Sequence, residues 1–108
     1  MTDRSRYIQV STAVSKRAHA EKIARVMVEK KLAACVQIVG PIISIYRWKG
    51  RMERSKEWLL IIKTTKGHYA RVEKAIAGAH PYELPEIIAV PIVAGSSLYL
   101  RWVRKQLR

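Results

Sequence analysis

The spacing of apolar residues changes period along the chain, and each change marks an element. Tyr7 to Thr12 opens apolar and then alternates, which predicts a first strand. Ser15 is placed to cap the helix that follows. There Ala20, Ile23, Ala24, Met27 and Val28 recur at spacings of three and four, sharing one face of a helix from about Lys16 to Lys31. Lys22, Arg25 and Glu29 fall on its other side. From Ala34 to Trp48 the chain reads as extended, interrupted at Gly40-Pro41. Proline removes a ladder donor and glycine tolerates a bulge, so one long strand with a kink is expected. Lys49-Gly50 signals a tight turn, and Met52 to Thr65 reads as the returning strand. Its centre, Trp58 to Ile62, is apolar on both faces, as in a strand in the middle of a sheet.

A second helix is predicted from about Gly67 to Ala79, with Thr65 as its cap and Tyr69, Val72, Ile76 and Ala79 on its apolar stripe. His80-Pro81 ends it, because the residue before proline is pushed out of helical backbone. Glu86 to Val93 forms the last strand, and Pro91 within it argues for an edge position or a bulge. Ser96 caps a short terminal helix that turns Leu100, Val103 and Leu107 inward and sets Arg104, Lys105 and Arg108 at its negative end. The order βαββαβ plus a helix predicts an α+β fold: a ferredoxin-like split βαββαβ antiparallel sheet with a C-terminal helix. It is expected as one domain over residues 1–108, with 1–6 a frayed lead-in. The hairpin of strands two and three is longer than one small sheet needs and apolar on both faces, so self-association is expected.

The totals narrow the function classes. At 108 residues with 49% hydrophobic side chains, the chain suits one core. Its longest apolar runs fall short of the ~20 residues that cross a bilayer, and no signal-peptide pattern opens it, so no membrane partner is expected. One cysteine, Cys35, permits no intrachain disulfide, which fits a cytoplasmic location. The formal charge is +13, from 21 Lys and Arg against 8 acids, with Asp3 the lone Asp. These charges are spread along the sequence, densest from Arg47 to Lys56 and over Arg101, Arg104, Lys105 and Arg108. A basic ferredoxin-like sheet raises an RNA-binding module as the alternative. The Lys/Arg-Gly-aromatic signature of that module fails, since Lys49-Gly50 is followed by Arg51-Met52 and the chain has no Phe. What remains is nucleic-acid attraction that is at most nonspecific. No glycine-rich phosphate loop, nucleophile elbow or paired metal-binding histidines appear, and no enzyme is expected.

Several segments together resemble the CutA divalent-cation-tolerance family. They are Leu32-Ala33-Ala34-Cys35, Ser44-Ile45-Tyr46-Arg47-Trp48-Lys49-Gly50, Glu57 through Ile62-Lys63-Thr64, His80-Pro81-Tyr82-Glu83-Leu84-Pro85-Glu86-Ile87 with Ala89-Val90-Pro91-Ile92, and Tyr99-Leu100-Arg101-Trp102. The resemblance implies a homotrimer packed through long hairpins, related in architecture to PII signalling proteins, with a role in tolerance to divalent cations, copper above all. It implies a ligand cleft between subunits built from Tyr46, Trp48, Glu57, Lys63, His80, Tyr82, Glu83 and Glu86. The occupant would be a cation or a small molecule, as in a PII-like sensor. Lys63 ends an apolar run, so its ammonium either emerges at the sheet rim or is paired; a salt bridge with Glu83 or Glu86 across subunits would fix the trimer register. Some members carry a cysteine near the end of the first strand and two histidines before the proline. Here those positions read Ser11 and Ala79-His80, leaving His80 as the candidate metal ligand. Cys35 reads as a small half-buried hydrophobe, and His19 and His68 as surface residues near helix starts.

Overall fold

In the computed structural model, which describes residues 6–108, β1 (Tyr7–Val14) leads into α1 (Arg17–Glu29). β2 (Cys35–Trp48) and β3 (Arg51–Thr65) form a hairpin, and a 3-10 turn, Lys66–His68, opens α2 (Tyr69–Ala79). β4 (Ile88–Pro91) and α3 (Ser97–Lys105) complete the chain. The strands make one antiparallel sheet in the order β2-β3-β1-β4. This is the ferredoxin-like arrangement with a C-terminal helix. The apolar centre of β3 lies inside the sheet, and Pro91 stands on the edge strand, where its missing N–H disturbs least. Of the expected frayed start, residues 1–5 with Asp3 lie outside the described residues.

Several expected details differ. α1 is shorter at both ends: Lys16 is its N-cap residue with no side-chain cap, so Ser15 does not cap it, and Lys31 turns to φ 59 just beyond it. Val28 is 44% exposed, because the buried face is centred on Ala20, Ile23 and Met27 and Val28 lies one residue, about 100°, off that line. The Thr65 hydroxyl bonds His68 Nδ1 at 2.7 Å rather than a helix N–H, and α2 begins only after the 3-10 turn. Ala79 is exposed. β4 spans four residues, and beyond it Ile92 adds one bond to the Tyr7 carbonyl at 2.9 Å. Ser96 does cap α3, its Oγ accepting from the Tyr99 N–H at 3.0 Å.

One sheet face carries the core. Val10, Val14, Leu60 and Ile62 pack against Ile23 and Met27 of α1 and Val72 and Ile76 of α2. Each such side chain contributes roughly 1.5–3 kcal/mol on burial. The other face is covered by α3 only near Tyr7, where Tyr7, Ala34, Leu100 and Val103 cluster. Beyond that cluster Leu59 and Ile61 stay half-buried. β2 and β4 leave the two edges of the sheet open.

The hairpin is the element that departs from the sheet. Its register shifts between Val39 and Ile42, at Gly40-Pro41, where the peptide bond is cis. Past that bend, Ile42 to Trp48 pairs with Arg51 to Glu57 as a projecting arm. It stretches the molecule to 49 × 25 × 23 Å with a radius of gyration of 14.5 Å. A compact chain of this length has about 13 Å. At the tip, Lys49 (φ 51) and Gly50 (φ 79) are both left-handed, the pattern of a two-residue turn whose twist matches the strands. Gly50→Val is therefore expected to cost about 1 kcal/mol, read as a lower urea midpoint with an unchanged m value. An unchanged midpoint would contradict this turn.

Candidate functional site

The site begins where α2 stops. His80, held extended (φ −79, ψ 133) before Pro81, keeps its N–H on the Ile76 carbonyl at 2.8 Å while its ring turns inward to 8% exposure. Nε2 donates to the Ala13 carbonyl at 2.8 Å, and Nδ1 accepts from the Tyr82 N–H at 3.1 Å. A carbonyl acceptor on one side and an N–H donor on the other select the neutral ring with its proton on Nε2. Burial lowers the His80 pKa, with the bond to Ala13 and the charge of Glu57 opposing it.

Tyr82 meets the His80 ring edge-on, centroids 4.7 Å apart, and its hydroxyl donates to Glu57 Oε2 at 2.7 Å. Burial first, and then that carboxylate, push the phenol up to about 12, so Tyr82 stays a donor across the physiological range. Glu57 is 6% exposed on β3 and begins the arm. Alternation puts Ser55 on its face, and register brings Ser44 and Tyr46 opposite. Tyr46 Oη and Ser55 Oγ share a hydrogen bond of 2.8 Å. At the tip the Lys49 ammonium lies 4.0 Å from Glu83, an exposed contact worth little energetically that still relates arm to loop.

Arm and loop are thus the two walls of a groove of about 810 Å³. Six of the eight residues expected from sequence line it: Tyr46, Trp48, Glu57, Tyr82, Glu83 and Glu86. His80 stands behind them and positions the loop. Lys63 is elsewhere, six residues along β3 and ~20 Å from Glu57. Its ammonium bonds Gln37 Oε1, so within one chain it is not in the groove. Ala13, Ser15, Ser44, Ile45, Ser55 and Leu84 line the groove without having been expected there. Period-two alternation from Tyr46 and Glu57 points to the two arm serines. Ser15, read as a cap, instead interacts with the Tyr82 hydroxyl.

The groups that could hold a metal do not converge. Among the described residues no three His, Cys, Asp or Glu side chains are grouped to bind an ion. Both His80 nitrogens are engaged. His68 and His19 are half-buried rather than on the surface: the His68 ring bridges Thr65 and the Arg108 carbonyl, and His19 Nδ1 is buried without a partner. Cys35 is half-buried opposite Lys63. One chain's residues do not fit a dedicated copper centre, which calls for converging imidazole or thiolate.

Carboxylates, phenols and an indole thus face one groove on a ferredoxin-like fold, steadied by a neutral imidazole. The family described as CutA1 divalent ion tolerance protein matches residues 8–106. The divalent-cation tolerance protein CutA of Thermus thermophilus is 44% identical over 86 residues, 80% of this chain and 84% of that one. Protein CutA of Homo sapiens is 45% identical over the same share of this chain, which spans only 48% of the human protein. The solved structure of the divalent cation tolerance protein from Thermus thermophilus superposes with a TM-score of 0.92 at 39% identity, covering 94% of this chain and 99% of that one. The chain belongs to the CutA family, whose members are ion-tolerance proteins and not enzymes.

Proposed function

We propose that the chain acts in divalent-cation tolerance as a homotrimer that takes up a cation or small ligand in the groove, completed by the neighbouring subunit. The observation that carries this is the groove's outer wall. It is a projecting arm whose reverse side exposes Ile43 (49%) and Met52 (74%), with Ile45 (67%) exposed at the groove's rim. Two open sheet edges and the outward Ile88, Val90, Tyr99 and Trp102 add further uncovered apolar surface. A second and third copy would shield these groups. The pairing of Lys63 with Glu83 or Glu86 belongs to that assembly, between copies. The donor set also orders the cations. Glu57, Glu83 and Glu86 line the groove without being grouped to bind an ion within one chain, so a cation there would need donors from the neighbouring subunit. Carboxylate and phenol oxygens suit hard divalent ions better than copper. The aromatic walls, Tyr46, Trp48 and Tyr82, equally suit a small organic ligand of the PII-like kind.

Sedimentation at micromolar concentration is expected to give three times the 12.4 kDa chain mass. Calorimetric titration with magnesium, manganese, zinc, copper, carboxylates and nucleotides is expected to show binding that Glu57→Gln weakens about tenfold or more. A well-folded single chain in solution sinks the assembly. A trimer that evolves no heat with any of them sinks the ligand.

A further inference from the structure

The positive charge spread along the sequence is gathered in space. Lys31 follows the end of α1, Lys66 and Arg71 flank the start of α2, and Arg104, Lys105 and Arg108 lie at the end of α3. Hydrogen bonds tie these three places together. The Arg108 N–H donates to the Lys31 carbonyl at 3.1 Å. The Arg108 carbonyl accepts from Arg71 Nη2 at 3.2 Å and from His68 Nε2 at 2.8 Å. The Arg104 guanidinium sits 5.8 Å over the Tyr7 ring, and Tyr7 pairs with Thr65, the residue before Lys66. Six exposed cations therefore surround one end of the sheet. Among the described residues no side-chain carboxylate forms an ion pair with any of the six. The acids nearest in sequence are Glu29 and Glu73, and Glu73 is engaged by the Tyr69 hydroxyl. The groove and its carboxylates lie near Ala13, at the other end of β1, ~20 Å away.

We propose that this basic end docks the phosphodiester backbone of a nucleic acid without reading its bases. Six like charges held together with no side-chain carboxylate among them condense anions around them, and a linear row of phosphates replaces those ions with a gain in entropy. The contributors are helix ends and one turn, none presented lengthwise to a groove of the duplex, so contact is with phosphates and carries no sequence information. A bilayer fits less well. Membrane docking adds strongly exposed apolar anchors to its charges, whereas the exposed apolar groups closest in sequence to these cations, Val28 and Trp102, are only 44% and 43% exposed, and Trp102 lies against Tyr99 with ring centroids 5.6 Å apart. The proposal is independent of what the groove holds.

The test is fluorescence anisotropy of a labelled oligothymidylate of about 20 nucleotides across about 50–200 mM salt, with a logarithmic slope near −4 expected for six neutralised phosphates. Lys66→Glu with Lys105→Glu is expected to weaken binding by about tenfold or more and flatten the slope by about 1.4. Lys16→Glu with Arg17→Glu makes the same change of charge at the far end of α1, ~20 Å off, and should leave binding within about twofold. Circular dichroism melts confirm that both variants are folded. Equal weakening by the two pairs would mean bulk charge rather than a site, and would overturn the proposal. So would no binding of the oligonucleotide, or tighter binding to phosphatidylglycerol vesicles than to it.

Discussion

His80→Ala is expected to destabilise the chain by roughly 3 kcal/mol, lowering its thermal midpoint by about 10 °C or more. The substitution strands the Ala13 carbonyl and the Tyr82 N–H, two partners of a ring only 8% exposed, and leaves a void beneath the loop. Its pH dependence distinguishes this cause from simple loss of volume. Because burial depresses the His80 pKa in the native chain, the unfolded chain binds more protons as pH falls below the ordinary histidine value of about 6.5. Native stability is full above that value and declines as pH falls toward and through the depressed one. The alanine variant lacks this decline, so the gap between the two proteins should narrow from pH 8 to pH 5, the other histidines being common to both. A gap of constant size would mean that His80 is not held neutral. The same variant should lose groove binding, since Tyr82 and through it Glu57 are placed by this ring.

The second large effect is expected at the bend of the hairpin. A Cβ on Gly40 would lie 2.4 Å from Trp58 Cδ1 and 2.8 Å from its Cγ, in a half-buried indole packed against the core. Gly40→Ala should cost about 1–3 kcal/mol through overpacking. It should also swing the arm away from the loop, weakening ligand uptake more than a change of that size elsewhere would. Urea denaturation followed by tryptophan emission reports both, since displacing Trp58 moves an indole toward water. Unaltered emission and midpoint would show that the close approach of backbone and ring is not a constraint.

Where side-chain period alone decides the structure, reading the sequence succeeded. Alternation in β1, the helical stripe Ala20, Ile23, Met27 and the Lys49-Gly50 turn all depend on neighbours within a few residues. The misreadings share one cause: a local signal with two physical meanings. A serine before a helix is a good cap, yet Ser15 faces the groove because α1 starts one turn position later and Tyr82 comes within reach. Glu86 to Val93 has strand-like composition throughout, whereas the ladder pairs only Ile88 to Pro91, with one further bond at Ile92. The groove was partly legible, because the arm and the His-Pro-Tyr-Glu segment each carry distinctive chemistry. The basic end was not. Its residues are far apart in sequence, and only the return of three helix ends to one end of the sheet brings them together.

The two open edges of the sheet are unlike: one belongs to a strand of 14 residues, the other to one of 4. Joining one kind to the other is head-to-tail, and every added chain repeats the same rotation. When the rotations sum to a full turn a ring closes and no edge is left over; when they do not, the identical contact runs on as a fibre. In the proposed assembly the angle at Gly40-Pro41 would aim the longer strand and so bear on that rotation. A change of a few degrees there would then separate a closed ring from an open polymer.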